Sequence, residues 1–177
     1  MHTLKIGIIL GSTREGRKSP AVGEWVLNEA QKISDAQFEL IDIKDFDLPF
    51  IGTGNQNGVA RWKERINQLD GFIFIVQEYN HSLSAALKNA FDSAYDEWNN
   101  KAAGIVSYGS AYGARAAEAV RLVLAELQVA DVRTQVLLSL FTDFKDGQFK
   151  PQDLHSKNLK LMLEQVLNWS AALKTLR

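Results

Sequence analysis

Apolar runs and helical stripes alternate along the whole chain. Leu4–Leu10 is an Ile-rich run closed by Gly11, and it predicts a strand. Residues Pro20–Ile33 carry Val22, Val26, Ala30 and Ile33 on one stripe and predict a helix, with the proline at its start where the missing N–H is not needed. Phe38–Ile43 predicts a second strand. The stretch holding Pro49, Gly52, Gly54, Asn55, Asn57 and Gly58 predicts a loop of about fifteen residues, long enough to be a candidate for function. Val59–Gln68 predicts a short helix. Gly71–Val76 contains an unbroken apolar run from Phe72 to Val76, which predicts a strand covered on both faces. Leu83–Trp98 repeats Leu83, Leu87, Phe91 and Tyr95 at helical spacing, and Ala102–Val106 reads as another covered strand. Ala114–Leu127 predicts a helix on Ala116, Val120, Val123, Leu124 and Leu127. Val132–Leu140, interrupted by Arg133, Thr134 and Gln135, predicts a fifth strand at a sheet edge, and Asp153 is expected to cap a last helix reaching about Leu176.

Strict alternation of strand and helix implies a parallel sheet with helices on both faces. Five strands suit a flavodoxin-like three-layer α/β/α sandwich of order 2-1-3-4-5, and the chain is expected to form one domain over residues 1–177. In such sheets a ligand sits beyond the carboxyl ends of the strands where the order reverses. The loops after Leu10 and after Val76 should therefore line one crevice, with the loop after Val106 beside them.

Composition narrows the classes. Lys plus Arg is 20 and Asp plus Glu is 21, a formal charge of −1, which argues against nucleic-acid binding through bulk charge. The chain has no cysteine, so thiolate chemistry and sulfur-ligated metals are excluded, and a cytoplasmic location is compatible. The clean apolar runs are about five residues, far short of the ~20 a membrane helix needs, and Met1-His2-Thr3 opens without a secretory leader pattern.

The loop after the first strand, Gly11-Ser12-Thr13-Arg14-Glu15-Gly16-Arg17-Lys18-Ser19, combines glycines, hydroxyls and cations at a helix start, which suits a phosphate. The competing reading is a solvated turn with a Ser19 cap. Gly11, four residues and Gly16 approach a P-loop, but Lys18-Ser19 arrives one residue late, and no G-x-G-x-x-G is present. Both facts disfavour a nucleoside triphosphatase. The loop Gln77-Glu78-Tyr79-Asn80-His81-Ser82 offers a ring against which a flat heterocycle can lie and amides for its edge, or else caps the next helix through Ser82 or Ser84. Ser107-Tyr108-Gly109-Ser110-Ala111-Tyr112-Gly113 permits close backbone approach, for a ligand or simply for a tight turn. His2 and His155 have no partners that a metal site needs.

At these residues the chain resembles the NAD(P)H-dependent FMN reductases of flavodoxin-like fold, which include quinone and azo-dye reductases. The resemblance rests on Gly11-Ser12-Thr13-Arg14 with Ser19, on the segment Gln77–Asp92 read as a P-E-Y-N-x-S-x-P-x-x-L-K-N-A-x-D type motif, and on Ser107-Tyr108-Gly109 with Gly113-Ala114-Arg115. It covers nearly the whole chain in order. Gln77 and Ser84 stand where the family has prolines. The resemblance implies that Ser12, Arg14 and Ser19 hold the FMN phosphate, with Arg17 a weaker candidate. It implies that Glu78, Tyr79, Asn80 and His81 line the flavin, largely through backbone groups, and that Ser107, Tyr108 and Gly109 close the other side. FMN would carry the chemistry, with NADPH or NADH as co-substrate and a quinone, azo compound or free flavin as acceptor in a ping-pong scheme. No side chain need act as a nucleophile, His81 is a weak candidate proton donor, and no metal is implied. A homodimer or homotetramer is implied, with Tyr95 and Trp98 placed at the interface or in the core. The rival from another class is a flavin-bearing electron carrier. Carriers of this fold tend to be strongly acidic, and the charge of −1 weakens that reading.

Overall fold

The computed structural model describes residues 3–33 and 36–177. Strand β1 (Lys5–Leu10) pairs in parallel with β2 (Gln37–Asp42) on one side and β3 (Gly71–Gln77) on the other. β3 pairs with β4 (Lys101–Gly109) and β4 with β5 (Val129–Ser139), completing the expected order 2-1-3-4-5. Every residue of β3 and β4 is buried, because helices cover both faces of the sheet. Side chains alternate between the two layers. Ile9, Phe72, Phe74 and Ile105 meet α2 (Asn57–Asn67), α3 (Ala85–Asp92) and α4 (Ala114–Glu126), whereas Ile6, Ile8, Ile73 and Ile75 meet α1 (Ser19–Ala30) and α5 (Asp153–Leu173). The chain leaves β1 toward α1 on one face and leaves β3 toward α3 on the other, so the crevice opens between these two exits.

β5 lies at an edge, as expected, and the edge is covered by side chains. Arg121 of α4 binds the Asp131 carboxylate and donates to the Val132 carbonyl at 3.1 Å, while Gln165 of α5 accepts the Thr134 amide at 3.1 Å. These bonds answer the backbone groups of Val132 and Thr134, where the pairing of β5 with β4 shifts register.

Three expectations need correction. The helix expected over Leu83–Trp98 ends at Asp92. Ser93 turns its hydroxyl back onto the Asn89 carbonyl at 2.7 Å, and the indole N–H groups of Trp62 and Trp98 donate to the last-turn carbonyls of Ala90 (2.7 Å) and Phe91 (3.2 Å). Trp98 is 0% exposed and packs edge-on against Phe72 and Trp62, so it belongs to the core, and only Tyr95, 49% exposed, remains available to a partner. Asp153 is not the cap of α5; Gln152 occupies that position without a side-chain cap bond, and Asp153 places its charge in the first turn. Ser19 does not cap α1 either, since Lys18 holds the cap position.

A hairpin absent from the sequence reading joins β5 to α5. β6 (Phe144–Lys145) and β7 (Gln148–Phe149) pair around Asp146-Gly147, whose φ values of 51° and 76° meet the requirement of a type I′ turn. Its Phe144 packs 6.1 Å from the Tyr108 ring, at the end of β4.

Candidate active site

Three loops are tied together at the carboxyl end of the sheet. The Gly11 amide donates to the Ile75 carbonyl at 3.0 Å, and the Gly11 carbonyl receives both Gln77 Nε2 at 2.6 Å and Ser84 Oγ at 2.8 Å. Ser84 also caps α3, accepting the Leu87 amide at 3.1 Å. The two residues that replace family prolines therefore bolt the β3 loop to the β1 loop. Gly11 admits no side chain, since a Cβ would come 2.8 Å from the Ile75 carbonyl. The Glu78 amide donates to the Tyr108 carbonyl at 3.0 Å, which joins the β4 loop to the same frame.

Beside Gly11 lies a cluster of buried hydroxyls. Ser12 is 1% exposed and Ser19 0%, and neither Oγ has a partner at hydrogen-bonding geometry among the described residues. A buried hydroxyl without a well-formed hydrogen bond is costly. Tyr108 is buried beside them; burial pushes its phenol up, a nearby tyrosine adds to this, and Ser19, Arg14 and Ser12 oppose it. The α1 N-terminus begins at Ser19 with no side-chain cap, and Pro20 in its first turn has no amide to satisfy. The Arg14 guanidinium lies 5.6 Å from the Tyr79 ring centroid, and Lys18 Nζ lies 4.6 Å from that of Phe144. Arg17 is engaged elsewhere. Its fork grips the Asp42 carboxylate (Nη1 to Oδ1 2.7 Å) and the Ser12 carbonyl, and the Asp42 hydrogen bond holds its guanidinium above the ordinary arginine range. Arg17 braces the loop against the end of β2, while Ser12, Ser19 and Arg14 group around Tyr108.

The β3 loop is a tight hairpin. Tyr79 and Ser82 exchange both backbone hydrogen bonds at 3.0 Å, and the two residues between them, Asn80 and His81, have φ of 48° and 66°. Left-handed backbone at a histidine is strained, and strain of this kind is kept where neighbours over-determine it. The amides of Glu78, Tyr79 and Ser82 are occupied, which leaves those of Asn80 and His81 at the tip without a partner among the described residues. The Glu78 side chain turns away to α4. Gly113, at the α4 cap position with φ 72°, has no side chain to offer, and Glu78 supplies the missing cap by accepting the Arg115 amide at 3.1 Å. Glu78 also receives Arg115 Nε at 2.6 Å, and Arg115 Nη1 reaches His81 Nε2 at 2.8 Å. Ser107 donates to the Tyr112 carbonyl at 3.2 Å, and no hydrogen bond to the Ser110, Ala111 or Gly113 amide is found among the described residues.

Sequence reasoning missed Asp42 and Arg115. The Gly-x-Arg start of α4 was visible as a motif, but nothing in it named Glu78 as partner. The long connection after β2 does border the site: a cavity of about 560 Å³ opens beside Thr13, walled by Lys44, Asp47, Leu48, Phe50 and the Ala85-Ala86 start of α3. Asn89 fixes that wall by donating to the Leu48 and Pro49 carbonyls, each at 3.1 Å. No cluster of metal-ligating side chains occurs among the described residues; His2 lies outside them. Among the described residues no helix is long and apolar enough to cross a membrane.

The arrangement offers a phosphomonoester cradle at one end and, two loops away, an aromatic face with free amides for a flat heterocycle. An NAD(P)H-dependent FMN reductase of Schizosaccharomyces pombe is 33% identical over 151 residues, 80% of this chain and 76% of that protein. An NAD(P)H:quinone oxidoreductase of Solanum tuberosum is 33% identical over 124 residues, 62% of this chain and 61% of that one. Among solved structures, the flavoenzyme NAD(P)H:(acceptor) oxidoreductase FerB of Paracoccus denitrificans shares the fold with a TM-score of 0.71 at 19% identity, covering 98% of both chains. The family model for NADPH-dependent FMN reductase matches residues 4–143, and the chain belongs to that family.

Proposed function

We propose that this chain, as a single FMN-binding domain, is an NAD(P)H-dependent reductase of quinones, azo compounds or free flavin. The observation that carries the reading is the cluster of buried Ser12 and Ser19 hydroxyls around the buried Tyr108 phenol at the uncapped start of α1, with Arg14 nearby, which fits the FMN phosphate. When bound, FMN would supply the hydride and electron chemistry linking NAD(P)H to the acceptor in a ping-pong scheme. The protein binds and orients. Ser12, Ser19 and Arg14 hold the phosphate, and Arg17 keeps their loop in place through Asp42. Tyr79 and the Asn80 and His81 amides border the ring. Ser107, Tyr108 and Gly109 would set the opposite wall, and the Ser110, Ala111 and Gly113 amides, which have no bond among the described residues, would be the donors available to negative charge on the flavin.

Phe50, Ile51, Tyr95 and Leu122 are exposed around two adjoining hollows between the β2–α2 connection, α3 and α4. We read this face as the contact with a second copy in a homodimer or homotetramer; Leu122→Glu should then reduce the mass measured by sedimentation. The cysteine-free sequence accords with a cytoplasmic location, which fractionation of cells tests. A carrier with the same cofactor is the alternative. Protein, FMN, NADPH and menadione are mixed and NADPH loss is followed: a rate well above the protein-free control supports the reductase, and a rate equal to the control supports the carrier.

A further inference from the structure

We propose that Arg115 is a positioning residue of the flavin loop: anchored on buried Glu78, it fixes the left-handed Asn80–His81 turn and holds the His81 proton on Nδ1. That this loop serves FMN rests on the function proposed above; the His81 tautomer does not depend on it.

Glu78 is anchored first. Its side chain is 5% exposed and takes three donors from one residue, the Arg115 amide at 3.1 Å, Nε at 2.6 Å and Nη2. An exposed ion pair of this type contributes little, but a buried carboxylate gripped by a fork and a helix amide has one geometry. Capping α4 needs only the amide bond, and neutralising Glu78 needs only a positive charge. The third arm of Arg115 goes beyond both needs, reaching His81 Nε2 at 2.8 Å. A guanidinium stays protonated and has no acceptor lone pair, so a contact this short requires Nε2 to accept. His81 is therefore neutral with its proton on Nδ1. The contact is made from α4 onto the tip of a hairpin whose two central residues both have positive φ, 48° and 66°. Neither residue is glycine, so the turn needs an external hold. Lysine at position 115 keeps the charge and lacks the fork.

The test uses the full chain without added FMN, labelled with ¹⁵N-histidine and assigned for His81 with a His81→Gln variant. Long-range ¹H–¹⁵N spectra at neutral pH distinguish the two tautomers. In the wild type His81 is expected as the Nδ1–H form. In Arg115→Ala and in Arg115→Lys the signal should move toward a mixture dominated by the Nε2–H form. Both variants should then bind FMN and riboflavin more weakly by the same factor, about tenfold, because the loop and not the phosphate is affected. Should Arg115→Ala fail to fold, Arg115→Lys carries the test. An Nε2–H or doubly protonated His81 in the wild type, or an unchanged tautomer in the folded variant, overturns the proposal. Failure of the wild type to bind FMN contradicts the function instead, and leaves the tautomer result standing.

Discussion

Replacing Ser12 or Ser19 by alanine should have opposite effects on the empty protein and on its complex. Each hydroxyl is buried, at 1% and 0% exposure, and among the described residues it has the Tyr108 phenol as polar neighbour but no bond of good hydrogen-bond geometry. Leaving a buried polar group unsatisfied costs about 1–3 kcal/mol, and alanine removes that cost along with a single oxygen. A gain of about 1 kcal/mol raises Tm by roughly 2–4 °C in a chain of this size. The flavin-stripped Ser12→Ala and Ser19→Ala proteins are thus expected to melt a few degrees higher than the wild type. A hydroxyl bonded to a phosphate is a charge-assisted contact of about 1.5–3 kcal/mol, so each variant should bind FMN about tenfold to a hundredfold more weakly. Riboflavin, which lacks the phosphate, should bind unchanged. Scanning fluorimetry of the stripped protein and titration by flavin fluorescence measure the two effects separately. A lower Tm in both variants, together with equal losses for FMN and riboflavin, would refute the reasoning, because the hydroxyls would then be structural.

Arg14→Ala should weaken FMN by about tenfold to a hundredfold with little effect on riboflavin, read by the same titration. Gly113→Ala should destabilise the protein by about 2 kcal/mol or more, read by urea unfolding, because the residue must hold a left-handed backbone. Its new Cβ would also lie 2.7 Å from the Tyr108 amide, with φ at 72°. Acid should loosen two clasps. Burial alone would raise the Asp70 carboxyl, but Lys174, the Lys5 amide and Arg177 outweigh it; at Asp143 burial is outweighed by the Ser139 amide, Gln152 and His155. Both carboxyls are held below the ordinary value of 3.8, so their stabilisation is present above about pH 4 and is lost as pH falls through the lowered folded values. Asp70→Asn and Asp143→Asn should each flatten the loss of Tm between neutral pH and pH 3.

The sheet was readable because β3 and β4 are covered on both faces and their apolar runs have no competing explanation. Strand order alone points to the three loops at the carboxyl end of the sheet, whereas the roles of Ser12, Ser19 and Tyr108 within them come from the family resemblance. What escaped depended on contacts between distant residues. Arg17 reads as a free cation until pairing of β1 with β2 brings Asp42 opposite Leu10 and within its reach. The stripe through Leu87, Phe91 and Tyr95 continues toward Trp98 without a break, and only the closeness of Phe72 and Trp62 explains why Trp98 folds inward and ends the helix. Asp146-Gly147 is a strong turn signal, but two-residue strands on either side leave no alternation to accompany it. Gln77 and Ser84 read as lost prolines, and the shared Gly11 carbonyl shows them as a different way of stiffening the same loop.

The most direct measurement is a titration of the flavin-stripped wild-type protein with FMN and, in parallel, with riboflavin. The account predicts saturable binding of one FMN per chain, with FMN held at least tenfold more tightly than riboflavin because two hydroxyls and Arg14 meet its phosphate. No binding of FMN, or equal affinity for the two flavins, would contradict it.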